Sequence, residues 1–368
     1  MASDLFTRKS TWYGGRGVFA NSAIPAGTLI HTCPGPYASV IYREFRKEVC
    51  AQCFAYSFDV RRNAWNIRNE VPGAGVWFCS STCRQEWSGG PMTLTVNAAV
   101  DKLSKADGKR GATASAHSAL AENSPGISQT SIDSAWENAA QGPTSVRLPL
   151  EELELETVRF VLSALIRRHT DDENSSGTPL NSWPDLLELQ DNELPYYRSK
   201  PHALPSHVRI FAFIRQAVRS SPVLECLKPY VETPAAVRAV LARDPGNVFG
   251  LFEMNETGDS EMFGWCMYVS ASFFNHGMSS PSLFLAPLSL FCVADCEPNV
   301  RKRREGRALH FYTTRDIEKD EELCTNYVDL KDSVSERREQ LRAHWYFECA
   351  CQRCRRELAL AGETPDDV

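Results

Sequence analysis

With 368 residues, 43% of them hydrophobic and 23% charged, the chain can bury a substantial core and has the balance of an ordinary globular protein. A net charge of −6 argues against a protein that coats nucleic acid by neutralising phosphates, while leaving room for a basic protein partner. The longest apolar run, residues 283 to 294, is broken by Pro287 and falls short of the ~20 residues that cross a bilayer, so no membrane association is expected.

In chain order, residues 11–31 (TWYGGRGVFANSAIPAGTLIH) alternate apolar and small residues around Gly-rich and Pro-Ala-Gly turns, which predicts short strands and tight loops. A cysteine cluster follows at 50–87. From 88 to 145 the composition shifts to Ser, Ala, Gly, Thr and Asn with few large apolar residues, the signature of a linker or an insertion. Leu150, Leu153, Val158, Val161, Leu162 and Leu165, then Val208, Phe211, Ile214 and Val218, recur at helical spacing, so 146–244 is expected to be a helical insertion. After Asn247 the pattern returns to short strands through HFYTTRDIEKDEELCTNYV, and a last helix, SERREQLRAHWYF, runs into the final cysteines. Strand-rich ends around a helical middle imply that the two ends share one sheet system.

MASDLFTRKS has no signal-peptide core, so a reducing compartment, nucleus or cytoplasm, is expected, and the thirteen cysteines read as thiols or metal ligands. Cys50-x2-Cys53 with Cys79-x3-Cys83 supplies two tight pairs, the arrangement that presents four thiolates to one tetrahedral zinc. Cys349, Cys351 and Cys354 make three ligands, and Cys296, in Asp-Cys-Glu-Pro-Asn, is the candidate fourth. Two structural zinc ions are therefore expected.

The segments Gly14-Gly-Arg-Gly17-Val-Phe, Asn275-His276 with Asp-Cys-Glu-Pro-Asn299-Val, Glu321-Glu-Leu-Cys-Thr-Asn-Tyr327 and Trp345-Tyr-Phe-Glu-Cys349-Ala-Cys-Gln-Arg-Cys354 occur in the order found in SET-domain protein lysine methyltransferases. Residues 50–87 resemble a MYND zinc module, so the chain looks like a SMYD-like enzyme. It supplies only what match the first and third ligand pairs of that module, hence one zinc there instead of two. The resemblance implies an α+β fold, a SET β-clip of short strands with a zinc-binding insertion, a helical insertion and a cysteine-rich post-SET tail. The divisions are 1–49 and 245–330 for the SET halves, 50–87 for the zinc module, 88–145 linker, 146–244 helical insertion and 331–368 post-SET.

That family moves the methyl group of S-adenosylmethionine onto protein lysines, so a lysine-bearing peptide, with a histone tail as one candidate, is the expected partner of a monomeric enzyme. The resemblance assigns Tyr327 as the catalytic tyrosine. It assigns Gly14, Gly15, Arg16, Gly17, Asn247, Asn275 and His276 to the cofactor, with Phe347 stacked on its adenine. His276 taken alone also suits a satisfied core histidine. An inactive SET and zinc scaffold that binds proteins is the alternative.

One stretch departs from the family. Deleting residues 277–294 leaves Asn-His-Asp-Cys-Glu-Pro-Asn, the family's motif, and the 18 residues removed would keep reading frame. Gly-Met and Ala-Asp codons can hold a splice donor and acceptor, so the stretch reads as an unspliced intron, with a family-specific loop as the competing reading. The basic run Arg301-Lys-Arg-Arg304 lacks interleaved aromatics and reads as a solvated hairpin, with no direct nucleic-acid contact expected.

Overall fold

The structure is a computed structural model that describes residues 5–11, 15–57, 65, 67–68, 75–87, 90–108, 126–142, 149–174, 180–254, 260–277, 296, 298–349 and 351–361. Its strands are β1 (Phe6–Ser10), β2 (Arg16–Ala20), β3 (Leu29–Cys33), β4 (Ala38–Ile41), β5 (Ile67–Arg68), β6 (Trp77–Phe78), β7 (Phe249–Met254), β8 (Ser260–Met267), β9 (Val300–Glu305) and β10 (Ala308–Thr313). Its helices are α1 (Ser81–Glu86), α2 (Gly90–Gly108), α3 (Gln129–Gln141), α4 (Glu152–Asn174), α5 (Trp183–Leu187), α6 (Glu193–Ser199), α7 (Ala203–Ser220), α8 (Ala235–Asn247), α9 (Val334–Trp345) and α10 (Gln352–Ala361). No helix among the described residues is long and apolar enough to cross a membrane. This is an α+β fold of small antiparallel sheets and helices.

The chain forms two compact units. The first joins Met1–Pro36, Pro179–Gln190 and Tyr268–Val368. In it β1 pairs with β2, and β3 pairs with β10, which also pairs with β9. Strands nearly three hundred residues apart therefore share one sheet, with His31 opposite Phe311. The shared face is aromatic: Phe274 stacks on Phe311 at 4.3 Å between ring centres, and His31 stacks on Phe274 at 5.8 Å. The segment 320–325 adds to β2, with Leu323 donating to the Val18 carbonyl at 2.8 Å.

The second unit joins Tyr37–Thr178 and Asp191–Met267 and holds the sheet β4–β8–β7 with most of the helices. The helical spacing read from the sequence is realised in α4 and α7, where Val158, Val161, Leu162, Leu165, Phe211, Ile214 and Val218 are buried. Leu150 and Val208 are half-buried, and Leu153 is 63% exposed in the first turn of α4. Residues 88–145, read as a linker, instead contain α2 and α3. Their few apolar residues fall at a spacing of four, Val96 with Val100 and Ile132 with Trp136, so one buried stripe suffices despite the polar composition. Ser128 caps α3 through a reciprocal bond with Ser131, and Trp136 Nε1 donates to Glu193 at 3.0 Å. The segment Pro179–Gln190, placed by the sequence within the helical insertion, groups with the first unit.

Candidate active site and metal centres

The first unit assembles the glycine-rich turn, Asn275, His276 and Tyr327. β2 starts at Arg16, and the Asn275 amide donates to the Arg16 carbonyl at 2.9 Å and to Glu322 Oε1 at 3.0 Å. Gly17 makes that approach possible, because a Cβ there would stand 2.9 Å from Asn275 Nδ2 and still nearer Glu322 Oε1. Gly15 is exposed at φ +72, and among the described residues Gln190 Oε1 is the atom in van der Waals range of its absent Cβ, at 3.8 Å. The Arg16 guanidinium is held by Glu188 at 3.1 Å. Gly14 lies outside the described residues.

Beside this turn the chain crosses itself. Thr325 N–H donates to the Asn275 carbonyl at 2.8 Å and Gly277 N–H to the Thr325 carbonyl at 3.3 Å, a short parallel bridge that carries Tyr327 alongside His276. The Tyr327 hydroxyl donates to the Phe274 carbonyl at 3.2 Å, and burial pushes its ionisation up, so it stays a neutral phenol. Its ring stacks on Trp345 at 5.2 Å and lies 5.6 Å from His276. A neutral hydroxyl next to a backbone carbonyl, backed by aromatic faces, can accept the hydrogens of an amine and favour positive charge developing on it.

Both ring nitrogens of His276 are taken by the protein. Nδ1 accepts the Tyr327 N–H at 3.2 Å, which leaves the proton on Nε2 facing Cys296 Sγ at 3.4 Å. Burial lowers this ring's pKa to about 4, so it is neutral. The ring is thus a strut between Tyr327 and the cysteine centre, the satisfied core histidine that its residue type alone suggests. Phe347 packs on the same centre with its ring 6.3 Å from His276.

The cysteine centre of this unit consists of Cys296, Cys349, Cys351 and Cys354, all buried and with sulfurs within 4.8 Å of one another. The contacts from Cys296 measure 3.6 Å to Cys349, 3.3 Å to Cys351 and 3.5 Å to Cys354. Disulfides have S–S near ~2.05 Å, whereas a tetrahedron of ~2.3 Å Zn–S bonds has edges of about 3.8 Å, so the spacing fits zinc. The four thiols titrate together through their mutual contacts, which hold Cys354 below the ordinary thiol range and push Cys349 and Cys296 above it. The Arg337 guanidinium, 1% exposed, donates to Cys354 Sγ at 3.6 Å and to Glu357 at 2.7 Å, offsetting the excess charge of four thiolates. Residues 278–294, most of the stretch that interrupts the motif, lie outside the described residues. Its flanks, His276 and Cys296, nonetheless meet.

In the second unit Cys50, Cys53, Cys79 and Cys83 form another group with sulfurs within 4.8 Å of one another, Cys79 standing 3.6 Å from both Cys53 and Cys83. Cys50 N–H donates to the Ala55 carbonyl and Phe54, at φ +61, returns its N–H to Cys50, closing the tight turn that aims the first pair. The second pair sits at the start of α1, where Cys83 N–H donates to Ser80 Oγ at 3.1 Å. The Cys53 thiol holds Cys50 down to about 4. Val76, Phe78 and Leu94 pack against this group, so α2 is anchored to it. Both centres fit zinc, and each would fasten a loop-rich segment too small to fold on its own core. Asn247 also belongs to this unit, where its amide donates to the Arg243 carbonyl at 2.9 Å and closes the kinked end of α8.

Three positioning residues escaped the sequence reading. Asn299, 2% exposed, donates to the Glu322 carbonyl at 2.8 Å and to Glu321 Oε1 at 2.9 Å while accepting the Cys324 N–H at 2.7 Å. Glu322 meets Asn275, and Arg337 supports Cys354. Asn299 and Glu322 stand inside quoted motifs, so the signal was present, but the partner of each is set by chain crossing.

A SET-domain family model matches residues 15–328. The chain is 29% identical over 391 residues to a potential protein lysine methyltransferase, SET6, of Saccharomyces cerevisiae, covering 97% of this chain and 96% of that protein. It is 42% identical over 64 residues to the histone-lysine N-methyltransferase SET5 of Eremothecium gossypii, covering 17% of this chain and 13% of that one. A SET and MYND domain-containing protein of Dictyostelium discoideum is 26% identical over 117 residues, 32% of this chain and 25% of its own. The family match takes in β2, the Asn275–His276 crossing, the Asn299 turn and Tyr327, and the chain belongs to the SET-domain family.

Proposed function

We propose that the chain is a protein-lysine N-methyltransferase that uses S-adenosylmethionine. The observation that carries this reading is the crossing of two distant segments that sets the neutral Tyr327 hydroxyl on the Phe274 carbonyl, one residue before the Asn275 amide that reaches the Arg16 carbonyl. S-adenosylmethionine would supply an electrophilic methyl on its sulfonium. Gly15, Arg16, Gly17 and Asn275 would hold it by backbone and amide contacts, with Phe347 against its adenine. Tyr327 and the Phe274 carbonyl would fix the hydrogens of the lysine amine so that its lone pair points along the transfer line. A lysine amine with a solution pKa of about 10.4 loses its proton more readily once desolvated, and alignment alone is worth several kcal/mol of barrier.

Histones are one candidate substrate class, since the SET5 relative is named for them. Labelled S-adenosylmethionine supplied with a panel of histones and cell extract, with Tyr327→Phe as control, tests the reading. Label on a protein lysine that falls at least 100-fold in Tyr327→Phe is expected. Failure of the chain to bind S-adenosylmethionine, with or without residues 277–294, would leave the protein-binding scaffold in its place.

A further inference from the structure

One lysine of the chain itself stands beside the tyrosine assigned to methyl transfer. Lys302 lies in β9, within Val-Arg-Lys-Arg-Arg-Glu, where the other cations are arginines. Its ammonium is 5.9 Å from the centre of the Tyr327 ring and donates at 3.3 Å to the carbonyl of Asn326, the residue before that tyrosine. Its charge also reaches His276, on the other segment of the crossing.

Backbone contacts hold the lysine in that place. Val300 N–H donates to the Cys324 carbonyl at 3.0 Å, which fastens the start of β9 to the segment leading into Tyr327. Further along the strand Lys302 stands opposite Phe311, and Phe311 stacks on Phe274, whose carbonyl receives the Tyr327 hydroxyl. Arg301 and Arg303 stand opposite Tyr312 and His310, on the alternate face. Lys302 keeps accessible surface, yet desolvation lowers its pKa to about 8, the combination expected of a side chain lining a recess. Near pH 8 about half of it is therefore neutral amine, whereas an ordinary lysine, with a pKa of about 10.4, is almost wholly charged there.

We propose that Lys302 is a self-methylation site, the chain transferring a methyl group from S-adenosylmethionine to its own β9 lysine in cis. The inference rests on the reading of Tyr327 as the methyl-transfer centre and adds a modification site to it. With β9 fixed, rotation about the lysine's own side-chain bonds carries the amine from the Asn326 carbonyl toward the Tyr327 hydroxyl and the Phe274 carbonyl. Tethering replaces a bimolecular encounter by an intramolecular one, which offsets imperfect alignment. The amine lone pair bonds to the methyl carbon as the carbon–sulfur bond breaks, and that electron pair stays on sulfur, leaving S-adenosylhomocysteine. The methylammonium takes over the charge of the sulfonium, and the proton lost in forming the neutral amine has already passed to water. Neighbouring arginines do not compete, because their guanidinium groups stay protonated.

The full chain should be incubated alone with methyl-labelled S-adenosylmethionine and then cut after glutamate, since the stretch between Glu261 and Glu305 holds Lys302 as its single lysine. Mass spectrometry should find methyl groups on Lys302, carried in from expression or added as label, and Tyr327→Phe should lower them by roughly 100-fold. The labelling rate per chain should stay constant over a roughly tenfold range of chain concentration, as an intramolecular step requires. When the parent chain is mixed with a heavy-nitrogen Tyr327→Phe chain, label should enter Lys302 of the parent alone. Label on Lys302 of the variant, or a rate per chain that rises in proportion to concentration, would overturn transfer in cis. Histones or cell-extract proteins that take label while Lys302 takes none would overturn the proposal and keep the methyltransferase. Calorimetric titration that finds no binding of S-adenosylmethionine would remove both.

Discussion

Asn299→Ala removes the buried amide that closes the turn leading into Tyr327. In the native protein this side chain makes three hydrogen bonds of 2.7–2.9 Å, to the Cys324 N–H, the Glu322 carbonyl and Glu321 Oε1. Alanine leaves one buried N–H and one buried carbonyl without that partner, each costing about 1–3 kcal/mol, while Glu321 retains Arg315 at 2.5 Å. Water entering the vacated space offsets part of this, so about 3 kcal/mol is expected, equivalent to roughly two orders of magnitude in the local opening equilibrium. Amide hydrogen exchange at Cys324 reads that equilibrium directly. Asn299→Asp adds a sign test. It keeps an acceptor for Cys324 but turns a second oxygen toward Glu321 and the Glu322 carbonyl, so the folded protein raises its pKa by favouring the protonated acid. Its stability should therefore be greatest at low pH and fall as pH rises through the carboxylate range. Cys324 protection in Asn299→Ala within a factor of five of the parent would refute the assignment of this turn to Asn299.

The two cysteine centres predict about two zinc ions per chain by elemental analysis, dropping to one in Cys354→Ser and, independently, to one in Cys53→Ser. Two ions retained in either variant would remove that centre. Burial lowers the His207 pKa from 6.5 to about 4 while its Nδ1 pairs with the Tyr197 hydroxyl at 2.9 Å. The neutral native ring therefore contributes stability in full above about pH 6.5, lost as pH falls toward 4 and amounting to ~3 kcal/mol at most, and urea unfolding of His207→Gln at pH 7 and 4.5 should show a shallower loss. An equal loss in the variant would assign the acid sensitivity elsewhere. Because deleting 277–294 restores an uninterrupted Asn-His-Asp-Cys-Glu-Pro-Asn motif in frame, sequencing of the transcript is expected to show a message without those codons. A translated message that keeps them would establish a genuine loop.

Features written in short spacings were legible in the chain itself. The Cys50-x2-Cys53 and Cys79-x3-Cys83 pairs announce their own turns, since three or four residues can bend only in a few ways, and the helical stripes of α4 and α7 follow from periodicity alone. The basic run 301–304, read as a solvated hairpin between strands, forms β9 itself, the first arm of a hairpin that turns at Gly306 and Arg307. Ordered motifs identified the family and proposed Cys296 as the fourth ligand of the tail. Composition misled at 90–142, where averaging over many polar residues hid two stripes of buried side chains in α2 and α3.

Tertiary structure alone decided which groups meet across the crossing. Asn275 and Arg16 are 259 residues apart and Asn299 and Cys324 are 25 apart, and no local pattern encodes either pairing. The same holds for the roles of His276, Asn299 and Arg337, each defined by hydrogen bonds to segments far along the chain. Local spacing fixes a few dihedrals at a time, whereas these contacts form only when burial of the Phe274–Phe311 stack and the cysteine centre drives remote segments together, so their partners exist only in the folded molecule.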